Sequence, residues 1–393
     1  MIDSVYIAWR YLVFNKARSA TLVACVSLIA VLPFTLDVLL NESERQLLSR
    51  AETTPLLVGA KGSALDLVMN SLYLDDQVPE LVSMQVNDEV SESGLANPIP
   101  LYVRFHARGF PIVGTTLDYF DFRGLQVREG RSLALLGECV LGSAVAESLG
   151  LKPGDRLLSS PETVFDLAGI YPLNMNVVGV LEPSHSADDV AVFVDVKTAW
   201  VIEGLVHGHQ DLLKVRDPTL IMERNDQNVT ATAKLTQYTE IDEQNIGSFH
   251  FHGEPQAYPL TAVIALPADA KSATILRGRY VSAEKTTQIV EPNEVIDGLL
   301  RNIFRVKSII DSVIVVVGLA ALLALVLVFA LSLRLRQREL NTVFRLGCSR
   351  YTIVRLLGAE IAIILIISAA LVAAVAGVVS HYDEQLVRLF LVN

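Results

Sequence analysis

The chain of 393 residues is 51% hydrophobic and 19% charged, with mean hydropathy +0.42 and net charge −11. That is too apolar for an ordinary soluble protein and too charged for a bundle held wholly in lipid. Three cysteines exclude a disulfide scaffold, and the abundance of apolar residues excludes disorder.

The N-terminal segment 1–19 carries Arg10, Lys16 and Arg18. Residues 20–40 form the first apolar stretch, with Pro33 inside and Asp37 near its end. The stretch has no small-x-small cleavage site, so it reads as an uncleaved signal anchor, with a cleaved signal peptide as the alternative. Two further stretches, 309–333 and 356–379, complete three predicted transmembrane helices, each reaching the roughly 20 residues that a spanning helix needs. Lys and Arg in short loops mark the cytoplasmic side. They place 1–19 and the coupling loop 334–355 inside, and 41–308 and the tail 380–393 outside. Asp37, Asp311 and Glu360 fall near helix ends, where a charge reaches the interface by snorkelling, so they receive no transport role.

Residues 41–308 hold 22 bases and 36 acids, net −14. An acidic head leaves no nucleic-acid partner to expect. Residues 41–52 lack Gly and Pro and continue the first helix outward. Residues 293–308 have helical apolar spacing and run into the second. Both read as stalks. Between them, strands are expected at 99–105, 110–113, 138–141, 175–181 and 190–194, and helices at 142–149 and 196–205. The fold class is α+β: a polytopic membrane protein with a large mixed α/β extracytoplasmic domain on helical stalks.

Several segments together resemble a known superfamily. Val113 to Phe120 (VGTTLDYF) is similar to a "VGT…DYF" strand and turn. Glu129-Gly130-Arg131, then Glu138 to Ala146 and Leu149 to Asp155, resemble an "EGR…VVLG…A..LGL..GD" stretch, with Val177 to Leu181 as the next strand. Val58 to Ser63 (VGAKGS) looks like a segment of a DevC-like branch. Arg338, Glu339, Leu340, Val343, Phe344, Arg345, Leu346, Gly347 and Ser349 resemble an "RE…LR.LG.S" coupling segment, with Glu360 opening the next helix. The resemblance is to the MacB/FtsX-type ABC transporter permease superfamily, which includes LolC/LolE and DevC-like permeases. That pattern has four spanning helices, whereas three are read here.

The resemblance implies a cytoplasmic ABC ATPase subunit, a second permease copy in a homodimer, and an extracytoplasmic or substrate-binding partner. It also implies mechanotransmission, in which ATP-driven closure tilts the helices and the stalks relay the tilt outward. The bacterial inner membrane is the implied location. The residues themselves support docking independently. Arg336 to Leu346 suits a short basic helix ended by Gly347, and Ser349 is placed to cap the next helix. Leu340, Val343, Phe344 and Leu346 suit a groove on a partner, although arginines that only set topology would look similar. No Gly-x-x-x-x-Gly-Lys-Ser/Thr loop occurs, so nucleotide hydrolysis is expected on a separate subunit. No Gly-x-Ser-x-Gly or His-Glu-x-x-His run points to an enzyme.

All seven histidines fall outside by this topology. Four form two His-x-His pairs, His207 with His209 and His250 with His252. On a strand, such spacing puts both imidazoles on one face. Two pairs meeting in space would suit zinc, and copper or nickel would accept the same donors. Asp188, Asp189, Asp211 and Glu254 are nearby acids. Ordinary surface histidines in an acidic head would give the same pattern. The functional readings are therefore a mechanotransmitting permease that handles a transition metal or a metal-bearing partner, an exporter of lipoprotein, lipid or small molecules, or an ATP-driven regulator of an extracytoplasmic partner.

Overall fold

A computed structural model describes residues 2–160, 172–208, 221–224, 229–231, 239–242, 245–251, 253–282, 284–335, 342 and 350–391. The chain forms two units, one of Leu48–Asp297 and the other of Met1–Leu47 with Gly298–Asn393.

The chain opens with α1 (Ile2–Phe14), and α2 (Lys16–Glu52) runs without a break through the first predicted stalk. Then follow β1 (Leu56–Ala60), α3 (Ala64–Tyr73), β2 (Val82–Ser83) and α4 (Gln85–Glu92). A long hairpin comes next: β3 (Ala96–Ala107) and β4 (Phe110–Thr115). Its turn is the two residues Arg108 and Gly109, both at positive φ (50° and 87°), which matches the twist of the flanking strands. Next are α5 (Leu117–Arg123), β5 (Val127–Gly130), β6 (Glu138–Leu141), α6 (Ser143–Leu149), β7 (Arg156–Leu158) and β8 (Leu173–Leu181). A 3-10 turn at Ala187–Val190 leads into β9 (Val192–Asp195) and α7 (Val196–Ile202). Short strands β10 (Val206–Gly208), β11 (Ile221–Arg224), β12 (Val229–Ala231), β13 (Thr239–Glu240), β14 (Phe249–Phe251) and β15 (Pro259–Leu260) follow. The head closes with β16 (Ala262–Pro267), α8 (Ala270–Arg279) and β17 (Thr287–Val290), and the chain ends in α9 (Pro292–Leu335) and α10 (Arg350–Leu391).

The main sheet has the order β13-β8-β6-β9-β4-β3-β16-β1-β17, with β5 and β7 also paired to β8. Most neighbours are antiparallel, while β4–β9, β6–β8 and β13–β8 are parallel. Mixed pairing with helices packed on the sheet is the expected α+β arrangement. Val58, Tyr102, Ile112, Leu141, Val194 and Trp200 are among the buried residues of the core. Burial alternates along the first half of β8, whereas β6 is buried throughout. That difference marks β8 as nearer an edge and β6 as central.

Among the described residues, Val354–Val378 is long and apolar enough to cross a membrane. The pair Val5–Phe14 and Ser19–Val31, bent by 99°, meets the same test together. The predicted stretch 309–333 lies within α9. The segment 1–19 contains the helix Ile2–Phe14. Glu360, read as a charge reaching the interface, is 6% exposed and packed inside α10.

Candidate functional site

The last turn of α2 places an arginine inside the head. Arg50 is 8% exposed, although the adjoining sequence reads as a polar stalk. Its Nη1 donates to Asp188 Oδ2 at 2.7 Å, and its Nη2 donates to Asp188 Oδ1 at 2.8 Å. This two-pronged geometry suits a planar guanidinium and a carboxylate better than any lysine pairing would. Nη2 also donates to the Tyr119 hydroxyl at 2.9 Å, and that hydroxyl donates on to Asp188 Oδ1 at 2.8 Å. Nη1 lies 3.3 Å from Ser186 Oγ, which itself donates to Asp188 Oδ2. The partners come from three places: the end of α2, the α5 helix, and the turn before β9.

A second arginine closes the same end of the helix. Arg123, at the C-terminus of α5, donates to Thr54 Oγ1 at 2.9 Å and to Thr53 Oγ1 at 3.2 Å. Those two threonines donate in turn to the Arg50 carbonyl, Thr54 at 2.9 Å and Thr53 at 3.1 Å. The Arg50 carbonyl, one of those a helix leaves open at its C-terminus, is thus satisfied by side chains, while the Ser49 and Ala51 carbonyls accept from the backbone N–H groups of Thr53 and Thr54. The Arg123 guanidinium also stacks 4.6 Å from the Phe122 ring centroid.

Burial pulls the Arg50 pKa down, but Asp188 and Tyr119 more than offset this and hold it above its ordinary value. Burial raises the Asp188 carboxyl, and Arg50 overcomes that to hold it below its usual value. Burial also lowers Arg123, and the like charge of Arg50 lowers it further. Tyr119 is pushed up to about 12 by burial and stays a neutral donor. The cluster is therefore charged and buried, with Arg50 paired to Asp188 and Arg123 held by the threonine hydroxyls, so two guanidiniums share one carboxylate.

The predicted site residues fare differently. Strand β10 pairs with β14 so that His207 and His250 are Cα partners across the ladder. His209 and His252 lie outside the described residues, as does Asp211. Among the described residues, no group of three or more His, Cys, Asp or Glu is arranged to hold a metal. Asp188 and Asp189 are not spare ligands near His185. Asp188 holds Arg50, and Asp189 accepts from the backbone N–H groups of Ser184 and His185. The coupling residues Arg338, Glu339, Leu340, Val343, Phe344, Arg345, Leu346, Gly347 and Ser349 also lie outside the described residues.

Residues 38–237 match the sequence model of the MacB-like periplasmic core domain. The chain belongs to this family. Its head is thus an extracytoplasmic domain of a membrane-anchored permease component. No curated protein sequence matches the chain. Among solved structures, it is similar to the periplasmic region of MacB from Actinobacillus actinomycetemcomitans (11% identity, TM-score 0.35, 64% of this chain and 97% of that one). It is also similar to the extracellular domain of the noncanonic ABC-type transporter YknZ from Gram-positive bacteria (12% identity, TM-score 0.32, 60% and 98%). A third likeness is to a domain of a permease protein from Porphyromonas gingivalis (12% identity, TM-score 0.27, 60% and 86%).

The MacB-like motifs acquire physical reasons in this fold. A Cβ on Gly142 would stand 2.4 Å from the carbonyl oxygens of both Asp188 and Asp189, so only glycine lets the turn carrying Asp188 approach β6. A Cβ on Gly114 would meet the Ala199 methyl at 2.6 Å, so glycine there lets α7 pack on β4. Tyr119 and Arg123, four residues apart on α5, share the helix face that meets the end of α2. Arg131 donates to Glu138, whose Oε2 also accepts from the backbone N–H groups of Ala134 and Leu135. Sequence reasoning quoted Tyr119 as part of a motif but missed Arg50, Arg123 and the role of Asp188. The i, i+4 spacing of Tyr119 and Arg123 was the available signal.

Proposed function

We propose that the chain is the multi-pass membrane permease subunit of an ABC transporter, with helices at 20–40, 309–333 and 356–379. A separate cytoplasmic ATPase would dock on 334–355, and two permease copies would pair in the inner membrane. ATP-driven tilting of the helices would reach the head through α2 and α9. The observation that carries this reading is the Arg50–Asp188 pair. A helix that enters the head and ends in a buried two-pronged ion pair cannot turn without moving the α5 and β9 segments bonded to it. A hinge would instead need weakly held, exposed bonds at that point.

The test is purification of the full chain with its ATPase and measurement of both hydrolysis and movement of ligand or partner. Phe344→Asp is expected to lose the ATPase subunit. Arg50→Met is expected to leave ATPase binding intact and disconnect hydrolysis from the head. A wild-type chain that never binds an ATPase would overturn the reading. Transport is distinguished from regulation by whether reconstituted complex moves a ligand or only switches a partner enzyme.

A second reading concerns metal, and the His207–His250 register favours it. His207 and His250 occupy directly opposed positions of the ladder, and His209 and His252 are the further donors the sequence offers. Zinc is the proposed ion. Isothermal titration of the full chain with zinc is expected to show binding that the His207→Ala/His250→Ala variant loses. Equal affinity in that variant would remove the idea.

A further inference from the structure

The corner where α3 gives way to the loop before β2 holds a polar side chain with one atom unused. Asn70 is 1% exposed. Its Nδ2 donates to the Asp75 carbonyl at 2.9 Å and to the Val103 carbonyl at 3.1 Å, which uses both amide hydrogens. Turning the amide over would set Oδ1 against two carbonyl oxygens, so its neighbours fix which atom is the oxygen. Oδ1 itself is buried and, among the described residues, has no donor. Such an atom is uncommon in a folded interior and calls for a partner.

Asn70 lines a cavity of about 10 Å³, together with Asp75, Asp76, Phe105 and His106. That is room for one water-sized body. Leu74, at φ 60°, makes the left-handed turn that brings the Asp75 carbonyl back to the Asn70 amide. Asp75 Oδ1 accepts from the Gln77 backbone N–H at 2.9 Å, and Asp76 Oδ1 lies 2.9 Å from His106 Nε2. Each carboxylate keeps a second oxygen, and among the described residues neither is paired with a lysine or arginine. The guanidinium that lines the cavity, Arg104, is engaged by Glu203 at 3.1 Å. Asp76 is 84% exposed, so that side of the cavity meets water.

We propose that this corner binds a calcium ion through Asn70 Oδ1 and the carboxylates of Asp75 and Asp76. A water would satisfy the amide oxygen but leave two adjacent negative charges uncompensated. A cation answers both needs. The donors are all oxygens, the hard set that calcium takes. Among the described residues no three His, Cys, Asp or Glu gather to suit a transition metal. Magnesium gives up its water reluctantly and demands a regular octahedron, which three protein donors around so small a space do not supply. Calcium accepts irregular sites and completes its shell with water from the exposed side. Three protein donors make a weak site, in the class with dissociation constants of about 0.1–1 mM that serves extracellular modules. That range suits a head outside the cytoplasm. The ion would hold the 75–76 turn against α3, and the bond from Asn70 to the Val103 carbonyl would hold α3 against β3.

The full chain in detergent, stripped with a chelator, would be titrated with calcium by equilibrium dialysis. One ion per chain is expected, half-saturating at about 0.1–1 mM. Asp75→Asn/Asp76→Asn keeps the shape of both side chains and removes their charge. It should bind about 10-fold more weakly or worse, because ligand charge sets calcium affinity. Asn70→Ala should weaken binding as well, and where that chain fails to fold the acid variant decides. Hydrogen exchange at 74–77 should slow when calcium is added to wild type and stay unchanged in the acid variant. Magnesium at the same concentration should protect neither. The His207→Ala/His250→Ala chain should take up calcium as wild type does, which separates this site from the histidine pair. No uptake at about 10 mM calcium, well above the expected range, would overturn the proposal. Uptake unchanged in the acid variant, or equal protection by magnesium, would overturn it too.

Discussion

Two arginine–carboxylate pairs in the head invite comparison. In both, the acid is buried: Asp188 is 2% exposed and Glu138 is 6%. The arginines differ, Arg50 at 8% and Arg131 at 52%. Arg50 and Asp188 are 138 residues apart, whereas Arg131 and Glu138 are separated by 7. Glu138 also has two backbone N–H donors, so it keeps partners if its arginine leaves. Asp188 would keep the Tyr119 and Ser186 hydroxyls and its own local turn, none of which carries charge. The difference teaches that a carboxylate's burial alone does not set the worth of a pair. What matters is the charge left behind when one member goes.

The largest effect should come from breaking the buried member of the comparison. Arg50→Met is expected to destabilise the head by about 3–5 kcal/mol, because Asp188 is left charged and unpaired in the interior. Denaturant unfolding measures it, and Arg50→Met/Asp188→Leu should recover most of the loss. Next, Gly142→Ala forces a methyl against the carbonyls beneath Asp188 and should cost about 1–3 kcal/mol. Its hydrogen exchange should rise in 184–190 before it rises at β5. Arg131→Ala, the half-exposed counterpart, should cost only about 1 kcal/mol after allowance for solvent screening.

The smallest effects follow pH. Asp188 and Glu138 both titrate below their ordinary values in the fold. Their contribution is present above the unfolded value of about 4 and is lost as pH falls through the folded one. Asp188→Asn should flatten this acid limb more than Glu138→Gln does. At the alkaline end, Tyr73 and Tyr119 are pushed up to about 12 by burial. Above the ordinary value of 10.0 the unfolded chain sheds protons that the fold retains, so stability should fall as pH rises toward 12. Tyr119→Phe should soften that fall, as followed by circular dichroism.

The same contrast explains what the sequence made visible. Arg131 and Glu138 stood in one quoted stretch of sequence, Glu129 to Ala146, although that stretch was read for its motif and not for their ion pair. Residues 138–141 and 196–202 were legible because short β-branched and helical runs sit between turn signals. Arg50 was hidden, since an arginine among Glu, Ser and Gln reads as a solvated helix face. Only the fold brings Asp188 to it. Strands β1 and β16 were hidden for the opposite reason. Each is an unbroken apolar run, and without alternation such a run has no period to detect. α1 escaped notice because its apolar residues fall short of a spanning length.

The first and last strands of the head deserve a mechanical reading. Strands β1 and β17 are antiparallel neighbours, with Leu57 opposite Val290. The chain therefore arrives from α2 and departs into α9 at the same edge of one ladder. Equal tugs on the two helices load those strands in a common direction and leave the bonds between them unstressed. Unequal tugs try to slide one strand past the other and must strain the whole ladder at once. The pair behaves as a splint that passes on shared displacement and resists differential displacement.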